Sequence, residues 1–231
     1  MPATRQTALI TGASGGMGAE IARELSRTHH VVLLGRDAGR LAAVAAETGG
    51  DIWQLDVTDE TALAERVAGL DSLDVLVHGA AIARARSVDA ALAADWDEHF
   101  AVNVTAPATL TRIALPLLRN SAGTIIFLGS GAGTNPVPGN VVYSASKYAL
   151  RGLADALRIE EEAHRIRVAT VAPGQTDTEM LRTLIPAETY SPDRYIQPLS
   201  VARAIRFVVD APADVQITDI AVRPRQEIVR L

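Results

Sequence analysis

Short apolar runs alternate along this chain with longer segments in which apolar positions recur every three or four residues. The runs are Thr7–Thr11, Val31–Gly35, Asp51–Asp56, Leu73–His78, Thr124–Ser130, Arg167–Ala172 and Ile217–Val222. Each is rich in Val, Ile and Leu with little internal polarity, the pattern of strands covered on both faces. Between them, Gly18–Thr28, Asp37–Thr48 and Asp59–Leu70 are amphipathic. Asp37 opens its segment and Gly49-Gly50 closes it, a helix start and a helix stop. About seven strands interleaved with helices predict an α/β fold, a doubly wound parallel sheet flanked by helices on both faces. Gly174–Leu199, with three prolines and scattered apolar residues, reads as a long loop or lid carrying a short helix. No repeat, low-complexity tract or linker divides the chain, so 1–231 is expected to be one domain.

The length of 231 residues agrees with that. With 48% hydrophobic and 21% charged residues, the chain has the make-up of a globule that buries a proper core. Twenty-two basic and 27 acidic residues leave a net charge of -5, which argues against a nucleic-acid surface. The absence of cysteine excludes disulfides, thiolate nucleophiles and cysteine-based metal sites. No apolar run approaches the ~18 residues of a membrane span, and Met1–Gln6 reaches the first strand too quickly for a signal peptide. A cytoplasmic protein without membrane partners is expected. Lys147 is the only lysine in a chain that otherwise uses arginine. A compact ammonium at one position points to a site that a guanidinium does not suit, unless codon bias spared it by accident.

Thr11-Gly12-Ala13-Ser14-Gly15-Gly16-Met17-Gly18 follows the first strand and opens the first helix. A helix N-terminus offers unpaired N–H groups and the positive end of its dipole, and glycines let phosphate oxygens approach the backbone. The spacing Gly-x-x-x-Gly-x-Gly differs from the common dinucleotide fingerprint, but its place between strand and helix makes it a candidate pyrophosphate site. The second strand ends Leu34-Gly35-Arg36, where selection of NAD would call for an acidic residue. Gly35 leaves room, and Arg36 is placed to clamp a 2′-phosphate, so NADP(H) is favoured over NAD(H). Asp37, the expected helix cap, is close enough in sequence to compete for Arg36.

Tyr143-Ser144-Ala145-Ser146-Lys147 heads a helical segment running to about His164. Residues four apart share a helix face, so the tyrosine and the lone lysine are neighbours. An ammonium beside a phenol is expected to lower the phenol pKa from ~10 and create a general acid–base pair.

Taken together, Thr11–Gly18 and Tyr143–Lys147 resemble the short-chain dehydrogenase/reductase family, in its conventional single-domain type with a Rossmann fold, along nearly the whole chain. The resemblance implies a catalytic tetrad of Asn103, Ser130, Tyr143 and Lys147. It implies cofactor contacts from Gly12, Ser14, Gly15, Gly16, Met17, Gly18 and Arg36, and from the adenine-contacting pair Asp56-Val57. Ala80, Tyr143 and Lys147 would approach the nicotinamide ribose side, and Pro173, Gly174, Thr176 and Thr178 the carboxamide and phosphates. Two features depart from the family pattern. His78-Gly79-Ala80-Ala81 replaces Asn-Asn-Ala-Gly, with His78 expected to tie the central sheet together through a ring N–H. Arg223-Pro224 follows the last run without the glycine-rich tail of many members, which bears on the usual tetramer contacts.

The implied activity interconverts a carbonyl and an alcohol. Ser130 would hold the carbonyl, Tyr143 would pass the proton, Lys147 would bind the ribose, and Asn103 would hold a water leading from Lys147 to solvent. The lid Glu179–Gln197, with Met180, Leu181, Leu184, Ile185, Tyr190 and Tyr195, either walls a pocket for a neutral small-molecule carbonyl or simply packs onto the core. A homodimer or homotetramer through Val104–Leu118 and Tyr143–His164 is the family expectation. A dinucleotide sensor without turnover and an epimerase or dehydratase are the alternatives. The five histidines show no metal-ligand spacing, Glu160–Glu162 reads as a solvated face, and Ser130 lacks the Gly-x-Ser-x-Gly elbow of a hydrolase.

Overall fold

A computed structural model describes residues 5–226; residues 1–4 and 227–231, the ends of the expected domain and part of the leader question, lie outside it. Seven parallel strands form one sheet: β1 (Thr7–Thr11), β2 (His30–Gly35), β3 (Asp51–Gln54), β4 (Val75–His78), β5 (Thr124–Leu128), β6 (Arg167–Pro173) and β7 (Asp219–Val222). Their spatial order is β3-β2-β1-β4-β5-β6-β7. The chain winds outward from β1 to β3, then returns to lay β4 on the other side of β1. The reversal opens a crevice at the carboxyl ends of β1 and β4, where ligands of such sheets bind.

The helices are α1 (Gly16–Leu25), α2 (Ala38–Thr48), α3 (Glu60–Ala68), α4 (Ala93–Phe100), α5 (Ala106–Ser121), α6 (Val141–Glu160), α7 (Glu179–Arg182) and α8 (Pro198–Val209). Alternate strand residues face opposite layers. Ile10, Leu33, Val77 and Ile126 pack with Ile21, Leu41 and Ile205 of α1, α2 and α8. Leu9, Val32, Leu76 and Phe127 pack with Leu63, Leu110 and Leu150 of α3, α5 and α6. Burial on both faces is why the strands read as unbroken apolar runs rather than alternating ones.

Several boundaries shift. The runs expected to end at Asp56 and Ser130 leave the sheet at Gln54 and Leu128, so Asp56 and Ser130 stand on loops above its carboxyl edge. Asp37 caps α2 by accepting from the Arg40 N–H at 3.0 Å, and Gly49 closes it in a left-handed conformation. Ahead of α5, Ala101–Thr105 is a π turn, which helical periodicity alone does not distinguish. The continuous helical stretch Ala93–Ser121 is long and apolar enough, by length and composition, to cross a membrane. Asp95, Asp97, Glu98, Arg112 and Arg119 interrupt it, so it is not an unbroken apolar run. Its Leu110, Ala114 and Leu118 are buried against the sheet, as in the core helix of a globular domain.

Candidate active site

The glycine-rich turn is shaped by close approach of its own backbone. Gly12 has φ 71°, and a β-carbon there would stand 2.9 Å from the backbone of Ala80; at Gly18 it would stand 2.1 Å from the Gly12 carbonyl oxygen. Neither position accepts a side chain. The helix that follows, α1, has Gly15 at its N-cap, no side-chain cap and no acidic residue in its first turn. Its leading N–H groups are left to an external acceptor, whereas Asp37 and Asp59 cap α2 and α3. That arrangement fits a pyrophosphate. Ser14 packs against Gly35, 3.3 Å from where a side chain there would begin, so the room expected at Gly35 is taken up by Ser14 and Leu41. Met17 turns its side chain into the core and offers this site only backbone.

At the end of β2, Arg36 is largely exposed, with Nη1 3.9 Å from the Asp56 carboxylate. The expected competitor, Asp37, is committed to the cap of α2 and to Arg40, 3.5 Å away. The acidic neighbour of Arg36 is therefore Asp56. Its carboxyl is held below the usual range mainly by hydrogen bonds from the Thr58 N–H and hydroxyl. Val57 beside it is buried in the core.

Thr11, which the sequence did not single out, organises the crevice. Its hydroxyl accepts from the N–H groups of Gly79 and Ala80, each at 3.0 Å, and so fixes the turn after β4 against β1. This is the tie expected of His78. That ring instead meets the Thr111 hydroxyl of α5 at 2.8 Å and stacks on Phe127, joining the sheet to a helix. Burial pushes its pKa down to about 3, so it is neutral, and its Nδ1 has no hydrogen-bond partner.

Above β5 and α6 the remaining groups meet. The Tyr143 phenol hydrogen-bonds with the Ser130 side chain, whose Oγ also accepts from the Ala132 N–H at 3.1 Å. Lys147 is buried; its Nζ donates to the Leu128 carbonyl at 2.9 Å and lies 5.7 Å from the centre of the Tyr143 ring. Burial lowers the lysine to about 8. It raises Tyr143 above its ordinary value, an effect the Ser130 hydrogen bond only partly offsets. The expected lowering of Tyr143 by Lys147 is thus not found: desolvation of the phenol dominates, and the ammonium is directed at Leu128.

Asn103, on the π turn, is buried, and its amide is bonded to the backbone and side chains around it. Its Oδ1 accepts from the Ile82 N–H at 2.9 Å; its Nδ2 donates to the Ile82 carbonyl and to the Ser146 hydroxyl, both at 3.0 Å. Ser146 in turn donates to the Tyr143 carbonyl at 2.8 Å. Asn103 therefore braces the backbone that carries Tyr143, through the hydroxyl of Ser146.

The Pro173-Gly174 turn closes the far side. The Gly174 N–H donates to the Val222 carbonyl at 2.8 Å, fixing the end of β7. From there Arg223 reaches across until its Nη1 is 2.7 Å from where a side chain on Gly131 would begin, beside Ser130. Its place follows from topology and was not legible in the sequence. Thr176 pairs with Ile196 at the base of the lid, and Thr178 caps α7 with its methyl 3.4 Å from the side-chain position of Gly16. The lid is also held by itself: Asp177 accepts from the Tyr190 hydroxyl at 2.5 Å and from Arg182, and Tyr190 packs on Tyr195. Tyr190 and Tyr195 therefore pack the lid, while Met180 and Leu184 are its exposed apolar side chains.

The family model that matches, over residues 6–189, is that of the short chain dehydrogenases. An uncharacterized short-chain type dehydrogenase/reductase of Sinorhizobium fredii is 32% identical, covering 97% of this chain and 93% of the relative. A solved metagenomic short-chain oxidoreductase in complex with NADP is 33% identical, with a TM-score of 0.82 and 96% and 99% of the two chains covered. The closed form of a serine dehydrogenase complexed with NADP+ is 30% identical, with a TM-score of 0.88 and 94% of each chain covered.

Proposed function

The chain belongs to the short-chain dehydrogenase/reductase family and is an oxidoreductase, and we propose that it interconverts a small-molecule carbonyl and alcohol with NADP(H) in preference to NAD(H). The observation that carries this is the meeting of Tyr143 and Ser130 beside buried Lys147, at the sheet edge next to the glycine-rich turn. When bound, the dinucleotide supplies or takes up the hydride.

The chain's own groups do the rest. Gly12, Ser14, Gly15, Gly16, Met17 and Gly18 receive the pyrophosphate on backbone N–H groups, with Thr178 facing it from the lid. Asp56-Val57 borders the adenine, and Ala80 lies by the ribose. Pro173, Gly174 and Thr176 border the carboxamide. Ser130 donates to the substrate oxygen, and Tyr143, kept protonated at neutral pH, delivers its proton as the alkoxide forms. Lys147, anchored to the Leu128 carbonyl beside the Tyr143 ring, would hold the ribose hydroxyls of the cofactor. In alcohol oxidation the same groups work in reverse. Met180 and Leu184 favour a substrate with an apolar body. Pairing of the chain with copies of itself through α5 and α6, into a homodimer or homotetramer, is part of the same reading.

Arg36 makes the cofactor preference testable, because it is largely exposed and only loosely paired with Asp56, at 3.9 Å, which leaves its guanidinium open to a 2′-phosphate. Arg36→Ala is expected to weaken NADPH binding by about tenfold or more and leave NADH unchanged, as read by titrating each separately. Equal loss for both would remove Arg36 from the phosphate site.

A further inference from the structure

Arg40 and Glu179 meet across the mouth of the cleft. Arg40 stands in the first turn of α2, four residues beyond Arg36, with its N–H held by Asp37. Its Nη1 lies 3.8 Å from where a side chain on Gly15 would begin. The same guanidinium donates to both carboxylate oxygens of Glu179, at 2.5 and 3.1 Å. Glu179 opens α7 immediately after Thr178, which rests on Gly16. A lid carboxylate thus sits on an arginine that borders the open face of the glycine-rich turn and the end of β2. The other charges there are Arg36 with Asp56, and Asp37 at 3.5 Å from the Arg40 Nε.

The Arg40 and Glu179 side chains are 54% and 69% exposed. A pair so exposed is worth at most about a fivefold factor in an equilibrium. A phosphate dianion brings more charge and three acceptor oxygens to the same guanidinium. We infer that Arg40 is a second ligand of the cofactor 2′-phosphate and that Glu179 is its internal competitor, holding the arginine and the lid to α2 until the phosphate displaces it. NADP(H) then frees α7 from α2, whereas NAD(H) leaves the pair in place. All of this depends on the NADP(H) preference proposed above.

The test is the dissociation constants of the full-length protein for NADPH, NADH and adenosine 2′,5′-bisphosphate. Wild type, Glu179→Gln, Arg40→Ala and the double variant are compared at one ionic strength. Glu179→Gln is expected to tighten NADPH and the bisphosphate about two- to fivefold with NADH unchanged. Arg40→Ala is expected to weaken both phosphate ligands about tenfold or more, again sparing NADH, and to abolish the effect of Glu179→Gln. If Arg40→Ala leaves the NADPH to NADH ratio at its wild-type value, or Glu179→Gln tightens NADH equally, the competition is overturned while the cofactor preference stands. A wild type that binds the two dinucleotides equally would instead defeat the preference, and the competition with it.

Discussion

Lys147 donates to the carbonyl of Leu128 at 2.9 Å, anchoring the chain's one ammonium to the end of β5 one helical turn beyond Tyr143. The group is buried, and burial lowers it to about 8, so at neutral pH the protein carries a desolvated charge. Above pH 8 the unfolded chain binds the proton more tightly than the folded one, so stability rises with pH between about 8 and 10.5. Lys147→Met is expected to be more stable at pH 7 by about 2 kcal/mol, after the lost hydrogen bond is discounted, and to lack that alkaline rise. Urea melts at pH 7, 8.5 and 10 measure both. Lys147→Arg keeps the charge but not the size, and most activity is expected to be lost. In the wild type, kcat/KM for reduction is expected to fall above pH about 8 as the ammonium is neutralised.

The bracing of Tyr143 through Asn103 and Ser146 is a coupled unit. Asn103→Ala leaves the Ile82 N–H and carbonyl without their partner in a buried place, takes one of two partners from Ser146, and is expected to cost about 3 kcal/mol. Ser146→Ala is expected to cost about 1 kcal/mol, and the double variant little more than Asn103→Ala alone. Strict additivity in denaturant melts would mean the two do not act through one another.

His78 sets an acid limit. Its folded pKa is depressed to about 3 from 6.5, so below pH 6.5 the unfolded chain takes up a proton that the folded chain refuses. Stability is expected to fall by about 1.4 kcal/mol per pH unit as pH drops from 6.5 toward 3. His78 should contribute about 2 kcal/mol to the difference in wild-type stability between pH 7 and pH 5. In His78→Asn that part of the difference should vanish.

What was legible in the sequence follows from what is local. The strands stood out because both faces are covered, and Tyr143 and Lys147 share one helix, so their neighbourhood needed no fold. The relationships that escaped join segments far apart in the chain: Thr11 with Ala80, Asn103 with Ser146, Arg40 with Glu179, Arg223 with Gly131. Each depends on which strand ends lie side by side. The direction of the Tyr143 shift escaped for a different reason. Spacing shows that a charge is near, but only the fold shows that the phenol is desolvated and that the ammonium is turned to Leu128.

Proton transfer by Tyr143 to a carbonyl substrate is tested most directly by NADPH oxidation against a panel of ketones and aldehydes, wild type beside Tyr143→Phe. The wild type is expected to consume NADPH with at least one class of carbonyl. Tyr143→Phe should fold and bind NADPH as before while turnover falls by about 10²–10⁴-fold. A Tyr143→Phe enzyme that reduces the same carbonyl at the wild-type rate would contradict the assignment of the proton to Tyr143.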